Sequence, residues 1–378
     1  MQRSEAKPHV AANLTFIEAR ALTGPGYYAA QVFEGLAAMA DAGQLPFRLH
    51  GYVQDGARHH FSDSANAYLT GVGTLRGRAG RVAFEQLMLP FRSKRDKVDL
   101  LWSPGFVSPL WGARVLVATV CDMYYSVVPE VVEPRQRQYW KTMIPMTARV
   151  CRALITISEN SKRDMVNLLP VRPEQVYVTP LASRLNRRDF PVTEPEIAGP
   201  YILLVANTTS NKNCERVMAA IALLRTRGRP IRLAHIGNDI DGRLRAAARE
   251  AGVDDLLLSL GKVSDATLAN AYQHCRATIV ASTYEGFGMP AAEAQAMGAP
   301  LICSNRSALP EAAGGLEREA ALFVDPFDIG QIADAIDRIA ADEELRTLLT
   351  ARGLEQAQMM TWQRTVQQTV SAFEAALA

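Results

Sequence analysis

A chain of 378 residues, 48% apolar and 21% charged, is long enough for two globular domains of roughly 150–200 residues each. Its net charge of +2 hides a division: residues 1–190 carry 24 Lys and Arg against 16 Asp and Glu, whereas residues 191–378 carry 17 against 23. No apolar run approaches the ~20 residues that span a bilayer, which excludes a transmembrane helix.

The start, Met1-Gln2-Arg3-Ser4-Glu5-Ala6-Lys7-Pro8-His9, lacks the apolar core of a secretory leader. Thr23-Gly24-Pro25-Gly26-Tyr27 places a Gly-rich turn ahead of a helical pattern from Tyr27 to Ala40. Such a turn suits a phosphate or an acceptor that approaches the backbone closely, and an ordinary helix entry looks the same. The pair His59-His60 reads as surface or loop. Arg92, Lys94, Arg95 and Lys97 form a basic cluster after Leu87-Met88-Leu89-Pro90-Phe91. This suits anionic lipid headgroups, with a solvated basic face as the alternative. No nucleic-acid module or aromatic platform accompanies it, so nucleic acid is not an expected partner.

Val115–Val120 and Ala153–Ile157 are predicted as buried strands. Each ends in a polar turn, Cys121-Asp122 and Ser158-Glu159-Asn160, and in a parallel sheet such turns carry ligand contacts. Ser158 or Asn160 caps the short helix that follows. The Pro-rich stretch Phe190–Pro200 is predicted as a linker.

The pattern then restarts. Strands are predicted at Tyr201–Val205, Ile231–Gly237, Leu256–Leu260, Ala277–Ser282 and Pro300–Cys303. Helices are predicted at Cys214–Arg227, roughly Gly242–Ala251, Asp265–Cys275, Ala291–Met297 and Trp362–Leu377. This alternation means a doubly wound parallel sheet. The five cysteines, Cys121, Cys151, Cys214, Cys275 and Cys303, are scattered and odd in number. They suggest neither a disulfide framework nor a zinc site, and a reducing cytoplasm fits them.

The stretch Glu285-Gly286-Phe287-Gly288-Met289-Pro290-Ala291-Ala292-Glu293 joins a strand, a Gly-rich turn and a helix start. Free backbone N–H groups and the helix dipole there favour an anion. The two carboxylates would repel a bare phosphate but would accept hydrogen bonds from hydroxyls. Phosphate together with hydroxyls describes a nucleotide sugar. Glu285 is expected at the strand end and Glu293 within the helix, with the N–H groups of Phe287, Gly288 and Met289 between them. Two solvated glutamates beside a Gly-rich turn are the plainer alternative.

The run from Gly261 to Pro326 resembles the retaining nucleotide-sugar glycosyltransferases of family 4. The matching residues are Gly261-Lys262-Val263-Ser264-Asp265, Ser282 to Pro290, Glu293-Ala294, Gly298-Ala299-Pro300, Ser304, Leu309-Pro310-Glu311 and Val324-Asp325-Pro326. Weaker similarity continues through Asn211-Lys212-Asn213, Ser158 to Lys162 and Thr23 to Tyr27. The resemblance implies an α/β GT-B fold: two Rossmann-like doubly wound domains facing across a cleft, with the C-terminal helix crossing back to the first. The implied division is 1–190 for the acceptor, 191–200 as linker, 201–361 for the nucleotide sugar and 362–378 for the returning helix.

By the same resemblance, Glu285 holds the transferred sugar, Glu293 the ribose hydroxyls and Lys212 the diphosphate. Gly24, Asn207, Lys262, Val263, Gly286, Phe287, Gly288 and Met289 complete the implied donor site. Asp122 is an acceptor-side hydrogen-bonding group and, with Glu285 and Lys212, makes up the implied catalytic set. Relatives often carry Arg at the position of Asn207, and Arg184, Arg187 or Arg216 could supply the missing cation. They often carry His at Cys121, where a thiol is a weaker hydrogen-bonding group. The implied activity is metal-independent, cofactor-free, retaining transfer from a nucleotide sugar, with GDP-mannose the guessed donor. The implied acceptor is a glycan or a lipid-linked glycan of a cell-surface polysaccharide. The enzyme would be cytoplasmic or peripheral on the inner membrane face. The alternative, motivated by Asn207 and Cys121, is a catalytically weak nucleotide-sugar-binding protein of the same fold.

Overall fold

The computed structural model describes residues 7–378. Residues 1–6, most of the stretch read above for a leader, lie outside them. The chain divides into two compact units. One takes the described residues up to Val127 together with Glu133–Leu181 and Trp362–Ala378, and the other takes Val128–Val132 and Ala182–Thr361. The Pro-rich stretch 191–200 has no regular structure and lies within the second unit.

Among the described residues, the first unit holds a seven-stranded sheet in the order β3-β2-β1-β4-β5-β6-β7. The strands are β1 (His9–Asn13), β2 (Arg48–Val53), β3 (Leu69–Gly71), β4 (Leu100–Ser103), β5 (Val115–Thr119), β6 (Ala153–Thr156) and β7 (Val176–Val178). All pairings are parallel. Parallel neighbours need crossovers, and the helices between them supply these. The strands β4, β5 and β6 are buried along their whole length. Continuous apolar runs such as Val115–Ala118 fit that position, because helices cover both faces of a parallel sheet. Of the seven, the sequence pattern indicates β5 and β6. The others are short or interrupted, as in Arg-Leu-His-Gly-Tyr-Val for β2.

The helix Trp362–Leu377 belongs to this unit and packs on the helix Gly24–Asp41 and on β5 and β6. Its Phe373 ring lies 5.6 Å from the fully buried Trp102 ring, centroid to centroid, and Trp102 Nε1 donates to Thr119 Oγ1 at 2.9 Å.

The second unit holds a six-stranded parallel sheet, β10-β9-β8-β11-β12-β13. The strands are β8 (Tyr201–Val205), β9 (Arg232–Ile236), β10 (Leu257–Gly261), β11 (Ala277–Val280), β12 (Leu301–Ser304) and β13 (Leu322–Val324). Its core joins Ile202, Leu204, Ile279 and Ile302 of the strands to Val217, Ile221, Ile332 and Ile336 of the helices. In both sheets the strand order reverses at the first strand of the unit, beside β1 and beside β8. Ligands of open α/β sheets bind outside the carboxyl ends of strands at such a reversal.

Candidate functional site

In the second unit β8 runs out at Val205 and β11 at Val280, side by side at the reversal. Glu285 does not stand at the strand end as expected. It lies five residues beyond β11, because the intervening backbone leaves the sheet and ties to the turn Ser210–Lys212. Thr283 N–H donates to Asn211 O at 2.8 Å, and Asn211 Nδ2 donates to Tyr284 O at 3.1 Å. Ser307 grips Glu285 by the backbone: Glu285 N–H donates to Ser307 Oγ at 2.8 Å, and Ser307 Oγ donates to Glu285 O at 2.9 Å. Ser307 holds φ at +54°, a sparsely populated region for a residue with a side chain.

The Glu285 side chain is buried, and its Oε1 accepts from Lys212 Nζ at 2.5 Å and from Ser282 Oγ at 2.7 Å. A buried carboxylate needs such partners to remain charged. Lys212 closes the short turn ahead of the helix Cys214–Thr226.

The helix beyond Glu285 begins at Met289, two residues earlier than the pattern suggests, and runs to Met297. Pro290 in its first turn needs no backbone donor there. Gly288 caps it with φ at +111°. A Cβ at Gly288 would sit 2.6 Å from Leu309 Cδ2, so both torsion and space require glycine. Among the described residues, no acceptor meets the N–H groups of Phe287, Gly288 or Met289. Such orphan donors at a helix start favour an anion.

Glu293 is in this helix, as expected, and is only 5% exposed. Its Oε1 accepts from Arg184 Nε at 3.2 Å and its Oε2 from the Tyr272 hydroxyl at 3.1 Å. Burial pushes the Glu293 carboxyl above the usual carboxylate range, outweighing the Arg184 charge. Burial, and then the Glu293 charge, hold the Tyr272 phenol well above its ordinary value. Arg184 also pairs with Asp265, so it is committed to two carboxylates.

Asn207 follows β8, and its Oδ1 accepts from Asn238 N–H at 3.0 Å. Arg216 donates to Asn213 Oδ1 at 2.8 Å and lies over the Phe327 ring. Lys262 is exposed and Val263 half-buried in the turn between β10 and the helix Asp265–His274. In the first unit, Gly24 opens a helix capped by the Thr23 hydroxyl. Asp122 follows β5, and its Oδ1 accepts from Tyr124 N–H at 3.0 Å. Cys121 beside it is buried, and burial followed by the Asp122 charge pushes its thiol up. Ser158 rather than Asn160 caps the helix Glu159–Leu168.

The structure thus brings Lys212, Glu285 and the Gly286–Met289 turn together within one unit. Tyr272, Ser282 and Ser307 escape sequence reasoning. Tyr272 reads as an ordinary apolar helix position, Ser282 as the end of a strand, and Ser307 has no local signal at all.

The family profile described as "Glycosyl transferases group 1" matches residues 187–356. The chain is 28% identical over 292 residues to the O-antigen chain mannosyltransferase B of Escherichia coli, covering 74% of this chain and 75% of that one. It is 29% identical over 244 residues to the MMP alpha-(1->4)-mannosyltransferase of Mycolicibacterium hassiacum, covering 63% and 58%. Its fold matches the crystal structure of Anabaena HepE in complex with UDP-glucose at a TM-score of 0.72 and 14% identity, over 97% of this chain and 99% of that one. The chain therefore carries a glycosyl transferases group 1 domain over residues 187–356, in a two-domain α/β chain of GT-B fold.

Proposed function

We propose that this glycosyltransferase moves a sugar, mannose from GDP-mannose, onto a glycan or lipid-linked glycan in polysaccharide synthesis, with retention at the anomeric carbon and without a metal. The observation that carries the reading is the Lys212–Glu285 contact beside three unpaired helix-start N–H groups at the strand reversal. In the free chain each charge is the other's partner. With donor bound, Lys212 turns to the diphosphate, Glu285 accepts from sugar hydroxyls, and the N–H groups of Phe287, Gly288 and Met289 face phosphate and sugar. Glu293 accepts from the ribose hydroxyls while Tyr272 and Arg184 hold its carboxylate in place. Asn207, Lys262, Val263 and Gly286 line the same donor site. Asp122, of the first unit, serves the acceptor.

In the reaction the bond from the anomeric carbon to the phosphate oxygen breaks, and the acceptor oxygen bonds to that carbon from the same face. The acceptor proton ends on the departing phosphate. Lys212 stabilises the charge that grows there, the kind of fixed electrostatic term that lowers such barriers most. The mannosyltransferase relatives support the sugar.

A melting screen of the full chain against GDP, UDP and dTDP tests the donor. At a hundredfold excess over Kd a ligand of the folded state adds about 2.7 kcal/mol, which raises Tm by roughly 5–10 °C in a domain of this size. The expected result is the largest rise with GDP. A larger rise with UDP or dTDP would overturn the GDP assignment, and no rise with any of them would overturn the function.

We further propose that the first unit docks on an anionic membrane surface. Leu87, Met88 and Phe91 are 62, 55 and 65% exposed. Lys94 Nζ lies 4.9 Å above the Trp111 ring, and the Phe91 ring meets that same ring edge-on. Arg92, Arg95 and Lys97 are close by in sequence. Apolar side chains rimmed by cations match an anionic interface. Among the described residues no helix is long and apolar enough to cross a membrane, so the association would be peripheral. Flotation with phosphatidylglycerol vesicles is expected for the wild type and not for a Leu87→Ser, Phe91→Ser double variant. Equal flotation of both would refute the surface.

A further inference from the structure

The first unit holds a polar cluster that the proposed transfer does not use. Its sheet reverses order at β1, which lies between β2 and β4. β1 ends at Asn13, and Thr15 follows. Thr15 Oγ1 lies 2.6 Å from Asn13 Oδ1 and 3.1 Å from Glu85 Oε1. Glu85 is therefore beyond the carboxyl end of the strand at the reversal, where open α/β sheets bind ligands.

Glu85 is a buried carboxylate within a π-helical stretch, Phe84–Met88. Such stretches are rare and recur at functional sites, because one widened turn redirects side chains at a cost in backbone geometry. Gln86 Nε2 anchors the stretch by donating to Ser108 O at 3.2 Å.

The cluster is under-partnered. Thr15 donates to Glu85 Oε1 at 3.1 Å, and the Asn13 side chain also stands against this carboxylate. Arg81 Nε stands 3.9 Å from Glu85 Oε1, beyond hydrogen-bond reach, and is buried without an acceptor. The Tyr139 hydroxyl, on the helix Pro134–Val150, is buried without a partner. Burial pushes the Glu85 carboxyl up, and it pushes the Tyr139 phenol up to about 12, with the Glu85 charge adding to the latter. Native interiors rarely leave so many polar atoms unpaired, because each loses its hydration without replacement.

The chemistry of the set selects a ligand. A carboxylate only accepts, a guanidinium only donates, and a phenol does both. A bare anion is opposed by Glu85 and a cation by Arg81, and an apolar group satisfies neither. Neighbouring hydroxyls on a ring donate and accept at once, and so match all three.

We propose that Glu85, Arg81 and Tyr139 form a subsite for one pyranose ring of the acceptor glycan, with Glu85 accepting from adjacent ring hydroxyls and Arg81 and Tyr139 donating to their oxygens. The word acceptor rests on the proposed function; the sugar subsite itself does not.

The test uses the full chain and the methyl α-glycosides of mannose, glucose and galactose, read by saturation-transfer NMR titration, with GDP binding measured in parallel. The wild type is expected to bind at least one glycoside. Glu85→Gln should weaken that binding about tenfold or more, the usual scale for losing a charge-assisted pair of hydrogen bonds. Tyr139→Phe should weaken it while leaving Tm unchanged or higher, because the hydroxyl it removes has no partner in the fold. GDP binding should be the same in all three proteins. No glycoside binding by the wild type, wild-type glycoside affinity in both variants, or a lower Tm for Tyr139→Phe would overturn the subsite. Loss of GDP binding in the wild type, with glycoside binding intact, would instead overturn the transferase reading alone.

Discussion

Glu285→Gln is expected to cut sugar transfer by about 10²–10³-fold, the usual scale for deleting one preorganised charged contact at a reacting centre. The substitution keeps the shape and leaves an amide oxygen for the Ser282 hydroxyl. It removes the charge that holds Lys212 and that the proposed function assigns to the sugar hydroxyls. Folding should suffer less than turnover: Lys212 is 22% exposed and can reach water, so losing its carboxylate costs about 1–2 kcal/mol. Lys212→Met tests the other half. It leaves the Glu285 carboxylate buried without its cation, so both turnover and stability should fall, stability by about 1–3 kcal/mol. Transfer assays with labelled donor, beside melting curves of the same preparations, separate these outcomes. Wild-type turnover in a well-folded Glu285→Gln protein would sink the assigned role.

Gly288→Ala should be a strongly damaging small substitution at the candidate site. The backbone there is at φ +111°, which a side chain opposes, and the new Cβ would meet Leu309 Cδ2 at 2.6 Å. Leu309 is fully buried and packed against its neighbours, so it has little room to withdraw. Strain and overpacking of this kind cost about 2–4 kcal/mol together. In a unit of this size the corresponding fall in Tm is roughly 5–15 °C. Relaxation would also turn the N–H groups of Phe287, Gly288 and Met289, so the nucleotide-induced rise in Tm should shrink with it. Adding Leu309→Ala should produce a double variant less destabilised than the sum of the two singles, because the overlap is removed while the torsional strain remains. An unchanged Tm for Gly288→Ala would refute this account.

Most of the second unit was legible in the sequence. Its strands are short apolar runs bounded by glycines and polar turns, and its helices carry caps such as Ser264. The strand Leu322–Val324 and the helices that follow it before Trp362 were not singled out. In the first unit, β5 and β6 were visible because central parallel strands are apolar on both faces. β2 and β3, toward the edge, carry polar residues and a glycine, so they lack that mark. The helix at Trp362 was legible to the residue, whereas its return to the first unit came only with the resemblance and its place on β5 and β6 only with the structure, since no local pattern records a contact so distant along the chain.

For the site, the sequence by itself determined the parts held together by adjacency: the Gly-rich turn, the helix start and the two carboxylates that bracket it. Spacing along one strand-turn-helix unit fixes those, since each neighbour constrains the next through the backbone. Only the tertiary structure decided their partners. Lys212 reaches Glu285 across 73 residues, Arg184 reaches Glu293 across 109, and Ser307 and Tyr272 come in from other elements. It likewise decided that Arg184 is bound to carboxylates. It also gathered Asn13, Thr15, Arg81, Glu85 and Tyr139 around one strand end. Such pairings depend on which strands lie side by side at the reversal, a long-range property that burial of the whole core sets and that no short stretch of sequence carries.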